Sequence, residues 1–204
     1  MEEGVKLYTT GIYSSMQINK IVNSVFSSNT FILTSEGCKW CWLVDVGDID
    51  PLLLEVGDRE VRGIFITHSH YDHIYGLIDL LKKYPDCIIY TSIDGKEGLL
   101  SDKFNFSRYH GDSIIYAGPN VRILEDGDIV EIFDMIELHA MMTPGHDKSC
   151  VTYYTDDSVF TGDSYIPGYE VVTTFPRSKK EDSIVSLGKI YELIKTRTIY
   201  PGHQ

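Results

Sequence analysis

The 204-residue sequence contains no apolar run close to the roughly 18 residues that a membrane-spanning helix requires. It is also poor in cations, because 18 Lys and Arg stand against 30 Asp and Glu and give a net charge of −12. That charge would repel a nucleic-acid backbone. The segment Met1-Glu2-Glu3-Gly4 lacks the basic start and the apolar stretch of a secretory signal. These absences disfavour membrane and nucleic-acid partners, predict a cytoplasmic protein with a small-molecule substrate, and leave the oligomeric state open.

Cysteine is also scarce, since four residues are too few for a disulfide scaffold in a chain of this length. The segment Cys38-Lys39-Trp40-Cys41 has the C-x-x-C spacing, but no second cysteine pair completes a zinc ribbon. No helix signal follows it, as a thioredoxin-like redox site would require. The sequence therefore predicts reduced thiols, and it predicts a hairpin turn at this segment with a strand beginning after it.

Hydrophobic patterning predicts an α/β fold, and the chain is long enough for a single domain over residues 1–204. In the first half, strands at 31–34, 41–45, 61–67 and 87–90 alternate with helices over 51–56 and 76–84. In the second half, short strands at 121–124, 129–133, 135–141, 151–155 and 159–161 precede a helix ending at Ile194 and a strand at 198–200. Residues 101–119 lack periodicity and predict a long loop between the halves.

The helix that ends at Ile194 has apolar residues at helical spacing. They are Ile184, Leu187, Ile190, Tyr191 and Ile194. We expect these side chains to form one apolar stripe on the helix.

The segment His68-Ser69-His70-Tyr71-Asp72-His73 directly follows the strand predicted at 61–67. Imidazole nitrogens and carboxylate oxygens are the usual ligands of zinc, and they also bind iron and manganese. In an extended chain, His68, His70 and Asp72 would project to one side and His73 to the other, so the run could serve two metal sites. The alternative is a solvated polar loop without a metal, but a position just after a buried strand is typical of a functional site.

The same run resembles the H-x-H-x-D-H signature of the metallo-β-lactamase superfamily, and other motifs of that family follow in order. Thr143-Pro144-Gly145-His146 is similar to its T-P-G-H, Thr161-Gly162-Asp163 to its T-G-D, and Pro201-Gly202-His203 to its closing P-G-H. Leu43-Val44-Asp45-Val46-Gly47 is similar to its early L-I-D-x-G strand. The resemblance implies a four-layer αββα sandwich with metal ions in a cleft at one edge of the two sheets.

The resemblance further implies two bound metal ions, which we expect to be Zn²⁺, with iron or manganese as alternatives. His68, His70 and His146 would hold one ion, Asp72, His73 and His203 would hold the other, and Asp163 would bridge the two. The remaining histidines lie outside these motifs. We expect His139 to be a core residue or a support for a ligand, and His110 to be solvated.

Two metals can hold a hydroxide that attacks a carbonyl, while they take up the developing charge and a thiolate or alkoxide leaves. Asp72 could also orient the hydroxide. This reaction predicts a hydrolase of a small thioester, ester or lactone, and the motif layout most resembles glyoxalase II. Two departures argue against glutathione specificity: Asp147-Lys148-Ser149-Cys150 stands where that group shows T-x-G-S, and the chain ends at Gln204 without the helical C-terminal domain of glyoxalase II.

Three other functions stay open on the same motifs. Persulfide dioxygenases look similar but use one iron and molecular oxygen. A phosphodiesterase or nuclease is disfavoured by the net charge of −12. A non-catalytic metal-binding module is disfavoured because a structural zinc needs only four ligands. Tyr165 and Tyr169 follow the T-G-D motif and could reach a substrate, although ordinary packing is the simpler expectation.

Overall fold

This computed structural model describes residues 15–204, in which eleven strands form two mixed sheets. The first sheet has the order β1 to β6 and contains Met16–Val22 (β1), Asn29–Ser35 (β2), Trp40–Val44 (β3), Glu60–Phe65 (β4), Ile88–Thr91 (β5) and Val121–Ile123 (β6). Strands β1 to β3 pair antiparallel, and β3 to β6 pair parallel.

The second sheet has the order β11-β10-β9-β8-β7. Its strands are Ile129–Phe133 (β7), Ile136–Met142 (β8), Val151–Tyr154 (β9), Ser158–Gly162 (β10) and Thr198–Pro201 (β11). The pairs are antiparallel except that β10 and β11 run parallel. The helices are Ile49–Val56 (α1), Tyr71–Ile74 (α2), Leu77–Lys83 (α3), Ile93–Leu99 (α4) and Lys180–Leu193 (α5), with a 3₁₀ turn at Ser107–His110 inside the predicted long loop.

Neighbouring residues of the first sheet enter two different hydrophobic cores, because successive side chains of a strand point to opposite faces. Phe31, Val44 and Phe65 belong to the core between the two sheets. Ile32 and Leu43 belong to the core under the helices. A sheet covered on both faces is apolar on both, which explains the continuous apolar runs in its strands. The arrangement confirms the predicted αββα sandwich.

Helix α5 packs through a different face from the one its sequence pattern predicts. Its buried residues are Ser183, Ser186 and Ile190, whereas Ile184 is 63% exposed and Tyr191 is 48% exposed. The expected apolar stripe is therefore wrong for Ile184 and Tyr191, whereas Ile190 is buried and Leu187 and Ile194 are half-buried.

The reason is a close approach between α5 and the loop after β8. Gly145 has a φ of 151°, and a Cβ there would collide with the backbone and side chain of Ser183. Ser186 Oγ donates a hydrogen bond of 2.6 Å to the carbonyl of Pro144. Small residues on α5 thus hold the loop that carries His146.

Strand β1 and helix α4 were not expected from the sequence pattern. Helix α4 contains Gly95 and Gly98, and glycine has a low helix propensity. Gly98 is required by packing, because a Cβ at that position would collide with the side chain of Ser69. Helix α4 therefore lies directly against the histidine-rich segment.

All four thiols are free, in agreement with the expectation of reduced cysteines. Glu36 and Gly37 form the turn between β2 and β3, so the predicted hairpin is present, but β3 begins at Trp40, inside the C-x-x-C segment and not after it. Burial raises the pKa of the Cys41 and Cys87 thiols to about 12. Within residues 15–204, no helix is long and apolar enough to cross a membrane.

Candidate metal centre

All seven residues predicted to bind metal come together at one edge of the two sheets. His68 and His70 lie between β4 and α2, Asp72 and His73 lie on α2, and His146, Asp163 and His203 follow β8, β10 and β11. Strands β10 and β11 are parallel neighbours, so their carboxyl ends bring Asp163 and His203 to the same edge.

The chain turns helical inside the histidine-rich segment, and this changes the direction of its side chains. His70 is extended with a ψ of 151°, and α2 begins at the next residue. Because of this turn, His73 Nε2 lies 3.4 Å from Asp72 Oδ2, and the His73 ring centroid lies 4.2 Å from that of His68. The expectation that His73 points away from His68 and Asp72 is wrong.

Among residues 15–204, three groups of side chains could hold a metal ion. Each residue offers one ligand atom, and the ligand atoms of a group lie within 4.8 Å of one another. They are His68, His70 and His146; His68, His73 and Asp163; and Asp72, His73 and His203. The first and third groups are the two predicted sets. The middle group shares members with both and contributes Asp163.

Asp163 touches both sets. Its Oδ2 atom lies 3.5 Å from His146 Nε2 and 3.3 Å from His203 Nε2. Its Oδ1 atom lies 3.4 Å from His73 Nε2. The carboxylate therefore lies between members of both predicted sets.

Each of the five histidines has its outer ring nitrogen beside a partner. The contacts are His73 Nδ1 to Asp45 Oδ2 (2.8 Å), His146 Nδ1 to the Val172 carbonyl (3.0 Å), His203 Nδ1 to the Phe26 carbonyl (3.0 Å), His68 Nδ1 to Thr67 Oγ1 (3.3 Å), and His70 Nε2 to Asp147 Oδ2 (3.5 Å). An acceptor at the outer nitrogen leaves the inner nitrogen as a lone pair, which is how proteins orient metal-binding histidines. The sequence pattern predicts none of these partners, although Asp45 lies in the motif at residues 43–47.

The inner atoms of the cluster fit a metal ion. His68 Nε2 and Asp163 Oδ1 are buried and have no hydrogen-bond partner among the described residues. Buried polar atoms without a partner are costly and rare, so they call for a ligand. Five imidazoles and two carboxylates form a donor set that suits zinc, iron or manganese.

The two sets differ in their electrostatics. Burial and neighbouring imidazoles lower the pKa of His68 well below its ordinary value, and burial lowers that of His146 to about 4. Burial would also lower the pKa of His73 and His203, but neighbouring carboxylates outweigh it. Asp72 and Asp45 raise the pKa of His73 well above its ordinary value. Hydrogen bonds to Asp163 and Asp72 raise the pKa of His203 to about 10. His68 and His146 therefore offer free lone pairs, while His73 and His203 favour their protonated forms.

A cavity of about 260 Å³ opens beside His146, Asp163 and His203. Its other lining residues are Ile166, Tyr169, Glu170, Val171, Val172 and Gln204. The described part of this lining includes no Lys or Arg. Tyr169 lines the cavity and is 67% exposed, which corrects the expectation of ordinary packing, whereas Tyr165 packs edge-on against Tyr191 of α5.

Aromatic rings pack against His70 of the cluster. Phe106 and Phe175 lie 4.8 and 5.3 Å from the His70 ring, measured between centroids. His110 is exposed as expected, and its ring stacks on Tyr71 at 4.4 Å, next to Asp72 in the chain.

His139 lies outside this cluster and does not fill the core. It is half-buried on β8, between the buried residues Leu138 and Ala140, so its side chain points to the other face of the sheet. There it stacks on Tyr154 at 5.0 Å and lies 3.9 Å from Glu137. The expectation of a core or ligand-supporting role is therefore wrong.

Two sheets packed between helices, with histidines and aspartates clustered at one edge, are typical of a class of metal-binding proteins. Comparison with known families identifies this class. The family model described as the metallo-beta-lactamase superfamily matches residues 27–203. The chain belongs to this superfamily, as its motifs predicted.

Individual members of the superfamily are similar to this chain in sequence or in structure. The hydroxyacylglutathione hydrolase (glyoxalase II) of Psychromonas ingrahamii is 30% identical over 154 residues, which cover 74% of this chain and 52% of that protein. The chain spans about half the length of the curated relatives it matches. Among solved structures, BLEG-1 B3 metallo-beta-lactamase has a TM-score of 0.81 at 20% identity and covers 92% of both chains. TTHA1623 in a di-iron-bound form has a TM-score of 0.75 at 22% identity, covering 91% of this chain and 92% of the other. The structural likenesses show the shared fold.

Proposed function

We propose that this protein is a metal-dependent hydrolase that binds two divalent ions and cleaves a small thioester, ester or lactone. The observation that carries the proposal is the position of Asp163, whose carboxylate contacts both sets of predicted ligands. Bound divalent ions supply Lewis acidity and lower the pKa of bound water to about 7. We propose Zn²⁺ for both ions, with iron or manganese as alternatives that the same donors accept.

Asp72 is the residue that we propose orients the attacking water. Burial would raise the pKa of this carboxyl, but His73 and a hydrogen bond from His203 lower it, so the carboxylate is ionised. Its Oδ2 atom lies 3.2 Å from His203 Nε2, within the second set. An ionised carboxylate at this position accepts a hydrogen bond from the water and directs its lone pair towards the carbonyl.

The cavity beside the cluster supports a small substrate with an uncharged acyl group. Ile166, Val171 and Val172 provide apolar walls, and Glu170 is the one acidic residue of the described lining outside the cluster. Since this lining has no Lys or Arg, the proposed divalent ions would be the positive charges available to an anionic substrate. The likeness to hydroxyacylglutathione hydrolases supports the thioester as the bond to test first.

One observation favours a second candidate, an oxygen-dependent enzyme with a single iron. His73 and His203 bind protons in the metal-free protein, whereas His68 and His146 are neutral. An ion would therefore enter the first set more readily, and the second set could stay protonated. A persulfide dioxygenase, which uses one iron and molecular oxygen, fits that state.

The deciding experiment is elemental analysis of the purified protein, together with rates on thioesters, lactones and phosphodiesters before and after chelation. The proposal expects about two ions per chain and hydrolysis of thioesters or lactones that disappears on chelation and returns with zinc. His70→Ala should abolish this activity, and His139→Ala, a histidine outside the cluster, should retain it. Equal rates with and without metal, or cleavage of phosphodiesters alone, would contradict the proposal. One iron with oxygen uptake on a persulfide would establish the second candidate.

A further inference from the structure

A fully buried carboxylate, that of Asp147, lies directly behind His70. Its Oδ1 atom accepts hydrogen bonds from the backbone N–H and the hydroxyl of Ser149, at 2.8 and 2.6 Å. Its Oδ2 atom lies 3.5 Å from His70 Nε2 and 3.3 Å from Arg177 Nε. Each of these three atoms is buried and has no other polar partner among the described residues, so they can satisfy only one another.

Arg177 reaches this point with its other nitrogens already engaged. The side chain is 8% exposed, Nη1 donates to Glu97 Oε2 at 3.1 Å, and Nη2 donates to the Asp94 carbonyl at 3.0 Å. Both partners lie on α4, which fixes the guanidinium plane and leaves Nε facing Asp147. Arg177 also belongs to the segment whose Phe175 ring lies over His70.

The inner nitrogen of His70 differs from that of the other four histidines. His70 faces the cluster with Nδ1, which lies 3.1 Å from His146 Nε2, whereas His68, His73, His146 and His203 face it with Nε2. A neutral imidazole carries one proton, and its position depends on the partner of each nitrogen. Two acceptors compete for the His70 proton: the Asp147 carboxylate lies 3.5 Å from Nε2, and the lone pair of His146 Nε2 lies 3.1 Å from Nδ1. The carboxylate is the stronger acceptor, because a hydrogen bond to a charged group is about twice as strong as one between neutral groups.

We propose that Asp147, itself held by Arg177, is a positioning residue that keeps the His70 proton on Nε2 and leaves the Nδ1 lone pair facing the cluster. Asp45 stands behind His73 in the same way, at 2.8 Å from the outer nitrogen. Asp147 occupies the position after His146 at which the sequence departs from the T-x-G-S pattern. The consequence for metal affinity depends on the proposed metal site, but the proton position itself does not.

The test is nitrogen-15 NMR of histidine-labelled, metal-free protein at about pH 8, above the ordinary imidazole pKa. The His70 signals are identified by their absence in His70→Gln. We expect the wild-type ring to carry its proton on Nε2. In Asp147→Asn, the amide oxygen can keep the Ser149 hydrogen bonds, and the NH₂ group then faces two other donors. The His70 proton should therefore move to Nδ1 in Asp147→Asn. Asp147→Glu keeps a carboxylate and should retain the proton on Nε2. Asp79→Asn, on the exposed part of α3, should leave the His70 tautomer unchanged.

Metal binding provides the second measurement. In competition with a chromophoric chelator, Asp147→Asn should weaken one zinc ion by about 10- to 100-fold, which is the usual effect of losing the acceptor behind a histidine ligand. A wild-type His70 protonated on Nδ1, or a tautomer that Asp147→Asn leaves unchanged, would overturn the inference. The wild-type tautomer is determined with His70→Gln alone as the assignment variant, so it does not depend on whether the Asp147 variants fold. If His70 carries its proton on Nε2 in a protein that hydrolyses none of the tested substrates, the inference stands and the proposed hydrolase function fails.

Discussion

Asp45 holds His73 from behind, with Asp45 Oδ2 at 2.8 Å from His73 Nδ1 and both side chains buried. The backbone N–H and the hydroxyl of Thr67 donate to the same carboxylate, at 2.8 and 2.7 Å. Three donors thus fix Asp45, and Asp45 fixes the ring whose other nitrogen faces Asp72 and Asp163.

Replacing the Asp45 carboxylate should weaken zinc binding by the second set, which consists of Asp72, His73 and His203. We expect Asp45→Asn to raise the zinc dissociation constant of one ion by about 10- to 100-fold, because His73 loses the acceptor that orients it. Zinc competition with a chromophoric chelator measures the two ions, and Asp79→Asn provides a surface carboxylate-to-amide control. Unchanged affinity for both ions in folded Asp45→Asn would show that His73 is not held in this way.

Metal binding should release protons from the second set. The pKa of His203 is raised to about 10 and that of His73 lies well above its ordinary value, so both rings are protonated near neutral pH when no metal is bound. An ion can bind only to the deprotonated nitrogens. Calorimetric titration with zinc in two buffers of different ionisation enthalpy should therefore show net proton release, and affinity should rise with pH up to about 10. Binding heats that are independent of the buffer would contradict this.

The stability of the metal-free protein should fall as the solution becomes alkaline. A histidine with a raised pKa contributes stability that is fully present below its ordinary value of 6.5 and is lost as the pH rises through the folded value of about 10. Urea unfolding of chelator-treated protein across this window should show the decline. His203→Gln should have a lower stability near the acid end and a flatter dependence on pH. The same slope in both proteins would exclude His203 as the source.

Gly145 should tolerate no side chain. Its φ of 151° is unfavourable for other residues, and a Cβ would meet Ser183 on α5. We expect Gly145→Ala to lower the free energy of unfolding by roughly 1–3 kcal/mol and to weaken zinc binding through the neighbouring His146. Thermal or urea unfolding measures the first effect, and chelator competition measures the second.

Gly188→Ala is the matched control, and it lies on α5, the helix that carries Ser183. A Cβ at Gly188 would meet no atom within 4 Å, so alanine should stabilise the helix by about 0.5–1 kcal/mol through its higher propensity. If Gly145→Ala were as stable as Gly188→Ala, the contact with Ser183 would not determine the position of the loop.

The seven clustered residues were predictable because short motifs place each of them at the end of a strand. His146, Asp163 and His203 are far apart in the chain, and motif resemblance alone assigned them to the same site. Their convergence follows from the pairing of β10 with β11 and β9, which the sequence pattern does not contain. The motifs therefore predicted the members of the site, and the sheet topology determines its geometry.

Other features depend on contacts that a local pattern does not encode. The direction of His73 depends on a helical turn that begins at Tyr71. The buried face of α5 depends on Gly145, and the glycines of α4 depend on Ser69 and on Thr91. In each case, a close approach between distant segments outweighs the propensity or the apolar periodicity of the segment itself.

The carbonyl groups of Phe26 and Val172 support His203 and His146, and the side chains of the same two residues stand 64% and 48% exposed beside the site. A point substitution at Val172 changes the wall of the cavity, and one at Phe26 changes the exposed surface near His110, but both leave the supporting carbonyl in place. An insertion or deletion in either loop would move the carbonyl as well. The side chains around the cluster can therefore vary one at a time, whereas exchange of a whole loop would move a carbonyl that orients a histidine of the cluster.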